Sequence, residues 1–321
     1  MASPTARLLT VCLCFGHAAG MALAPGANVL VVGNGAVQCL AARLAAICGY
    51  KTTLAVVAQT REKDEKVVFD SKYPKGSLPL TIMPITGDDI VEADIERSIN
   101  EADGIIVAFD SERTFIKASM NVFMPTEGAK LSCVSMMSRY LNGDGMGFTA
   151  SAAKFAANPD IWAGGKMVPE YKEMESRIKA RCAEVGAKWS IIRAGTLKGG
   201  GSADASDPEI EDAGGDARFL NPAFYTMGQQ DIVNWRLLFD SSGLGVEMSA
   251  GDTLPGPGFT AALTATDRVG SGDCHRGAVA MALVQALGCD AAAGKDFSIK
   301  AKESREFPPD SAWPAMFASA K

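Results

Sequence analysis

The feature that most constrains this chain lies near its start: a short apolar run, a glycine pair, a helix-forming stretch and a second apolar run. Asn28 to Val32 (NVLVV) is β-branched and wholly apolar, as expected of a parallel strand buried on both faces. Gly33-Asn34-Gly35 follows at once, and from Ala36 to Cys48 the residues Val37, Leu40, Ala41, Leu44 and Ala45 recur at helical spacing before Gly49 ends the segment. Thr52 to Val57 completes a βαβ unit.

The alternation continues. Thr81 to Ile85, Gly104 to Phe109, Leu131 to Ser135 and Trp189 to Arg193 read as strands, and Asp94 to Ala102 and Glu170 to Val185 as helices. Strands alternating with helices predict an α/β fold, a doubly wound parallel sheet with right-handed crossovers. Beyond Gly199-Gly200-Gly201 the style changes: Ser202 to Asp216 carries six carboxylates and no base, and Trp235 to Phe239 and Phe259 to Thr264 look like strands. Asp273 is a candidate N-cap for a helix from Arg276 to Leu287. The expected organisation is a leader at 1–25, a dinucleotide-type core at 26–200, and a C-terminal capping region at 201–321 that completes the same domain.

Composition excludes several function classes. With 31 basic against 37 acidic residues the net charge is −6 and no Lys/Arg run exists, so neither a nucleic-acid footprint nor an anionic-membrane anchor is expected. No stretch approaches the ~20 apolar residues of a transmembrane span. Cys12-x-Cys14 has the wrong spacing for a redox pair, and with only His17 and His275 a metal site is poorly supplied, so none is expected. Met1 to Gly20 has one charge at Arg7, an apolar stretch from Leu8 to Phe15, then Ala18, Ala19 and Gly20, the layout of a signal-type leader. The alternative is an N-terminal helix packed on the fold.

Gly33-x-Gly35 between strand and helix brings backbone N–H groups to the positive end of a helix, where a pyrophosphate is bound. Asn34, Ala36, Val37 and Gln38 complete the candidate loop, with Gln38 in place of the third glycine of the usual pattern. An NAD site normally carries an acid about 20 residues on, at the end of the second strand. Here that strand runs Leu54 to Thr60 with no acid before Glu62, and Arg61 follows, a guanidinium suited to a 2′-phosphate. NADP(H) is therefore favoured over NAD(H). The other reading of TREKDEK is a solvated charged turn.

VLVVGNGAVQ (Val29 to Gln38), TGDD (Thr86 to Asp89), ADGIIVAF (Ala102 to Phe109), LSCVS (Leu131 to Ser135) and WSIIRAGTL (Trp189 to Leu197) together resemble the atypical short-chain dehydrogenase/reductase superfamily, especially NAD(P)H-binding Rossmann proteins of plant and algal plastids. The resemblance implies Asp88 by the adenine, Ala108, Phe109 and Asp110 by the adenine ribose, Ser135 and Ser138 near the nicotinamide, and Arg193 and Ala194 at the pocket floor. It also implies a plastid address reached through the leader, the secretory lumen being the alternative.

That family's acid–base pair is Tyr-x-x-x-Lys, four residues apart on one helix face. Four residues after Tyr50, Tyr73, Tyr140, Tyr171 and Tyr225 stand Leu54, Ser77, Asp144, Glu175 and Gln229, and none is lysine. Tyr171 lies on the right helix, but Glu175 works against a phenolate, and Lys172 points about 100° away. Tyr171 and Ser135 are the candidate catalytic residues, with a distant lysine, Lys166 or Lys179, as the way back to the usual mechanism. Asp273-Cys274-His275 reads as a cap and a partly buried thiol, since adjacent residues cannot converge as nucleophile and base. The expected function is an NADP(H)-dependent oxidoreductase on a small molecule, the alternative a dinucleotide sensor or scaffold that reports to a protein partner.

Overall fold

The computed structural model describes residues 23–85, 93–109, 130–139, 141, 167–202, 216–221, 224, 240–254, 269–270 and 272–321. The first βαβ unit is β1 (Asn28–Asn34), α1 (Gly35–Ile47) and β2 (Lys51–Val57). It is followed by α2 (Arg61–Val68), β3 (Leu80–Ile85), α3 (Ala93–Glu101), β4 (Gly104–Phe109), β5 (Cys133–Arg139), α4 (Met167–Val185) and β6 (Lys188–Ala194). Then come β7 (Thr196–Lys198), β8 (Gly245–Ala250), β9 (Asp273–His275), α5 (Arg276–Leu287), β10 (Lys295–Lys302) and α6 (Trp313–Ser319).

The main sheet runs β3-β2-β1-β4-β5-β6-β10-β8, every described pair parallel except β10 with β8. The first six strands have the doubly wound order in which the crevice opens at the carboxyl ends of β1 and β4. Proline at 84 is tolerated because β3 lies at an edge of the sheet.

Two apolar layers sandwich the sheet. Leu40, Leu44, Met281 and Val284 of α1 and α5 share one core with Val31, Met137 and Ile192. Ile95, Ile99, Tyr171 and Ile178 of α3 and α4 share the other with Val32, Val107 and Met136. Both α1 and α5 are apolar on nearly every side, which suits helices covered by neighbours rather than facing water.

Several expectations are corrected here. The alternative of a charged turn at TREKDEK does not hold, since Arg61 to Lys66 open the helix α2. The region after 201 does more than cap: β10 and β8 extend the sheet itself, and α5 packs beside α1. Asp273 does not cap α5; it lies in β9, and the His275 side chain accepts the Gly277 N–H instead. Residues 23–25 of the expected leader belong to the fold, because the Leu23 N–H donates to the Leu287 carbonyl at 3.2 Å. The strands expected at 235–239 and 259–264 lie outside the described residues.

Candidate nucleotide-binding cleft

The glycine turn is built by two different demands on backbone. Gly33 has φ +138°, and a Cβ there would lie 1.7 Å from the Ala108 carbonyl oxygen, so its first role is to let β1 and β4 approach. Gly35 (φ +85°) opens α1, and Asn34 between them is extended, paired with Phe109. No acid stands in the first turn of α1, which leaves the positive helix end for an external anion.

Val37 and Gln38 do not present side chains to that anion. Val37 is in the core, and the buried Gln38 amide donates to the Ala55 carbonyl of β2, bridging helix and strand where a third glycine would have let them touch. Ala36 at the helix start is also buried. These three residues can serve a ligand through backbone only, and Gln38 is a bracing residue that the pattern alone did not disclose. At the end of β2 the chain turns through 58–60 into α2, whose first residue, Arg61, is exposed.

The register sorts the remaining candidates. Val31 pairs with Ile106 and Ile106 with Ser135, so Ser135 is level with the middle of β1, about 10 Å short of Asn34. It is fully buried, its hydroxyl without a partner, in a strand that continues to Arg139. This corrects its expected place at a strand end: Ser135 is not at the mouth of the crevice. Continuing the same register puts Ser138 level with Phe109 and Asn34. Ala108, Phe109 and Ala194 are buried at strand ends, whereas Asp88 and Asp110 lie outside the described residues.

Tyr171 is 2% exposed and its hydroxyl donates to the Phe109 carbonyl at 3.2 Å. One turn on, Glu175 accepts both terminal nitrogens of Arg193, at 2.7 and 3.0 Å, and the Ser138 hydroxyl. Arg193 also donates to Asp296 and to the Arg139 carbonyl, so it is a clamped internal ion rather than an open pocket floor. Burial opposes its charge, but the Glu175 and Asp296 carboxylates outweigh that and hold the guanidinium above its ordinary range. Lys179 lies over the Trp189 ring at 4.6 Å, which is where its ammonium is spent; Lys166 lies outside the described residues.

The chain past β6 closes the crevice wall. Lys198 of β7 pairs with Asp273 of β9 at 2.8 Å, and Asp240 accepts the N–H groups of Gly200 and Gly201 at 2.9 and 3.2 Å. Cys274 is fully rather than partly buried, and burial pushes its thiol up to about 12, against the smaller opposing effect of the Gly195 N–H. Among the described residues no group of His, Cys, Asp and Glu could hold a metal ion, and no helix is long and apolar enough to cross a membrane.

No protein-family model matches the chain, and neither does any curated protein. Solved structures do. A reductase engineered to attenuate substrate inhibition in asymmetric catalysis aligns with a TM-score of 0.50 at 9% identity, over 87% of this chain and 80% of its own. An NAD-dependent epimerase/dehydratase from Bacillus halodurans aligns at 0.49 and 12% identity, over 90% of this chain and 99% of its own. A short-chain dehydrogenase/reductase from Veillonella parvula aligns at 0.45 and 13%, over 89% and 99%. Identity this low carries the fold alone, and with the strand order the conclusion is that this chain has a doubly wound Rossmann-type fold.

Proposed function

We propose that the protein binds NADP(H) across the carboxyl ends of β1 and β4 and acts as an oxidoreductase of the atypical short-chain dehydrogenase/reductase group on a small molecule. The observation that carries this reading is the β1-Gly33-Asn34-Gly35-α1 turn beside β4, with an acid-free helix start and an acid-free end of β2 followed by exposed Arg61. The residues fit a dinucleotide. Backbone amides of Asn34, Gly35 and Ala36 would face the pyrophosphate, and Arg61 the 2′-phosphate.

A bound nicotinamide supplies or accepts hydride. The chain's own residues set the rest: Tyr171 and Phe109 close the α4 side of the crevice, and the Glu175–Arg193 pair fixes the ends of β5 and β6. Proton transfer in this reading falls to substrate or water, since the Tyr171 hydroxyl donates its hydrogen bond to a backbone carbonyl and Ser135 sits too deep. The same two facts favour a second reading, a dinucleotide sensor that reports to a protein partner without turnover.

Two measurements test these readings. Calorimetry is expected to show NADPH binding at least several-fold tighter than NADH, with Arg61→Ala removing most of the difference; equal affinities overturn the NADP assignment. NADPH absorbance followed with quinones, aldehydes and enones then separates the two readings. Turnover supports the oxidoreductase, and tight binding with none across the panel supports the sensor.

A further inference from the structure

Three buried cations among the described residues stand directly against carboxylates. Arg43 has Asp70 at 2.7 Å, Arg193 has Glu175 and Asp296, and Lys198 has Asp273. Arg139, the last residue of β5, is 2% exposed. Its Nη1 donates to the Gly195 carbonyl at 2.8 Å, its Nε has no partner, and no carboxylate pairs with it among the described residues. Asp252, which holds the chain just beyond Arg139, accepts the Leu141 N–H. A guanidinium out of water and beside neutral acceptors alone is a costly arrangement, and natural proteins keep one where an anion completes it.

Its place in the sheet says where that anion comes from. The β5–β6 register pairs Arg139 with Ala194, one residue beyond the level at which Asn34 and Phe109 end β1 and β4. This is the carboxyl edge, outside which ligands of such sheets bind. It is two strands from the glycine turn, about 10 Å across. A ligand group seated over the end of β5 lies nearer to Arg139 than one seated at the start of α1. Residues 133, 135, 137 and 139 share the α1/α5 side of the sheet, so Arg139 faces away from the Glu175 carboxylate, which lies on the α4 side with Ser138.

We infer that Arg139 is the anion-recognition residue of the substrate pocket, and that the small molecule taken by this protein carries a carboxylate or phosphoryl group seated on its guanidinium. This rests on the nucleotide reading for the identity of the crevice, while the anion site stands on the unpaired charge. Planar oxyanions suit it, since two N–H groups of an arginine fork can meet two oxygens.

The test uses the full chain, with inorganic phosphate and succinate as separate probes and thermal unfolding as readout at constant ionic strength. Each effective anion is expected to raise the melting midpoint of the wild type by about 2 °C at ten times its dissociation constant. Arg139→Met is expected to fold at least as stably as the wild type without anion, and to lose the shift; Arg139→Lys is expected to keep part of it. The response of the wild type to phosphate against succinate tells a phosphoryl ligand from a carboxylate. A variant Arg139→Met that melts well below the wild type, or that keeps the full anion shift, overturns the proposal. NADPH titration of the same variant keeps the two readings apart. Unchanged nucleotide affinity with a lost anion shift is the expected result, a tenfold loss of NADPH affinity would make Arg139 part of the nucleotide site, and absence of NADPH binding in the wild type strikes the nucleotide reading alone.

Discussion

Glu175 and Arg193 meet end to end across the carboxyl edge of the sheet, with two N–H···O bonds at 2.7 and 3.0 Å and both side chains 7% exposed. The carboxylate stands four residues after Tyr171, the position at which the short-chain dehydrogenases this sequence resembles place lysine. A charge of opposite sign there has not been left unanswered: Arg193 comes from the strand beside β5 to neutralise it, and Ser138 supplies a third bond. This corner is a brace between α4, β5, β6 and β10.

Breaking that brace from one side is expected to be expensive. Glu175→Ala leaves a buried guanidinium with only Asp296, and a loss of roughly 3–5 kcal/mol follows for a buried pair cut on one side. The double variant Glu175→Leu/Arg193→Met is expected to lie closer to the wild type than Glu175→Ala does. Urea unfolding of the three proteins checks this, and a single variant costing under about 1 kcal/mol would show the pair to be surface-like.

Tyr171→Phe removes the hydroxyl that donates to the Phe109 carbonyl. About 1 kcal/mol of stability is the expected loss. NADPH binding is expected to stay unchanged, and any reductase rate to fall less than roughly tenfold, against the 10²- to 10⁴-fold that follows loss of a general acid. A larger loss with intact binding would mean that a lysine reaches the phenol after all.

The sequence made the first βαβ unit plain because each signal there is local: an unbroken apolar run, two glycines and a helix with apolar residues at fixed spacing. The wall of the cleft was not plain, since its determinants are tertiary. Glu175 and Arg193 are 18 residues apart, and nothing in either neighbourhood announces the other. The strand read as Leu131 to Ser135 stops on a small polar residue, but β5 runs four residues further through Met136, Met137 and Ser138 to Arg139. Asp273 has the better intrinsic capping side chain, yet Lys198 takes its carboxylate and the imidazole of His275 accepts the helix N–H instead. β10 (KDFSIKAK) escaped notice because alternate charged residues hide a strand whose other residues, Phe297 and Ile299, are buried against α6 and the core. The one signal of Arg139 was a lone base closing an apolar run.

The buried thiols make stability fall in alkali. Burial pushes Cys133, Cys182 and Cys274 up to about 12 from 9.0. Unfolded chains then release thiol protons from about pH 9 while the folded state holds them, so the unfolded state binds fewer protons and stability declines as pH rises through the window from 9 towards 12. Each thiol adds at most ~1.4 kcal/mol per pH unit there. The urea midpoint is expected to drop between pH 8 and pH 10.5 and to drop less in Cys182→Ala. A midpoint that does not move over that range contradicts it.

Maturation of the N-terminus has a structural limit. Leu23 donates its N–H to Leu287, accepts from the Tyr50 hydroxyl at 3.4 Å, and fills the space beside Gly104, where an added Cβ would lie 2.5 Å from its side chain. Processing of the leader is expected to end between residues 18 and 23. Mass spectrometry of the native protein is the check: an intact Met1 or Ala2 rejects the leader, and a start beyond Leu23 rejects its part in the fold.

The last expectation separates what the two kinds of glycine do. At Gly33 a methyl group would be driven to 1.7 Å from the Ala108 oxygen and 2.5 Å from its carbonyl carbon, both backbone atoms of the neighbouring strand, so β1 and β4 would have to part. At Gly251 the backbone also has positive φ, +77°, but nothing lies within 4 Å of the added carbon. Gly251→Ala therefore costs only the left-handed conformation, roughly 1–2 kcal/mol, whereas Gly33→Ala loses that and the central strand pairing, more than about 3 kcal/mol by disruption of the core. Denaturant unfolding of the two variants is expected to differ accordingly, with Gly33→Ala recovered mainly unfolded. A folded Gly33→Ala protein of near wild-type stability but without NADPH affinity would reverse the assignment, making this glycine the place where a phosphate, rather than β4, comes close.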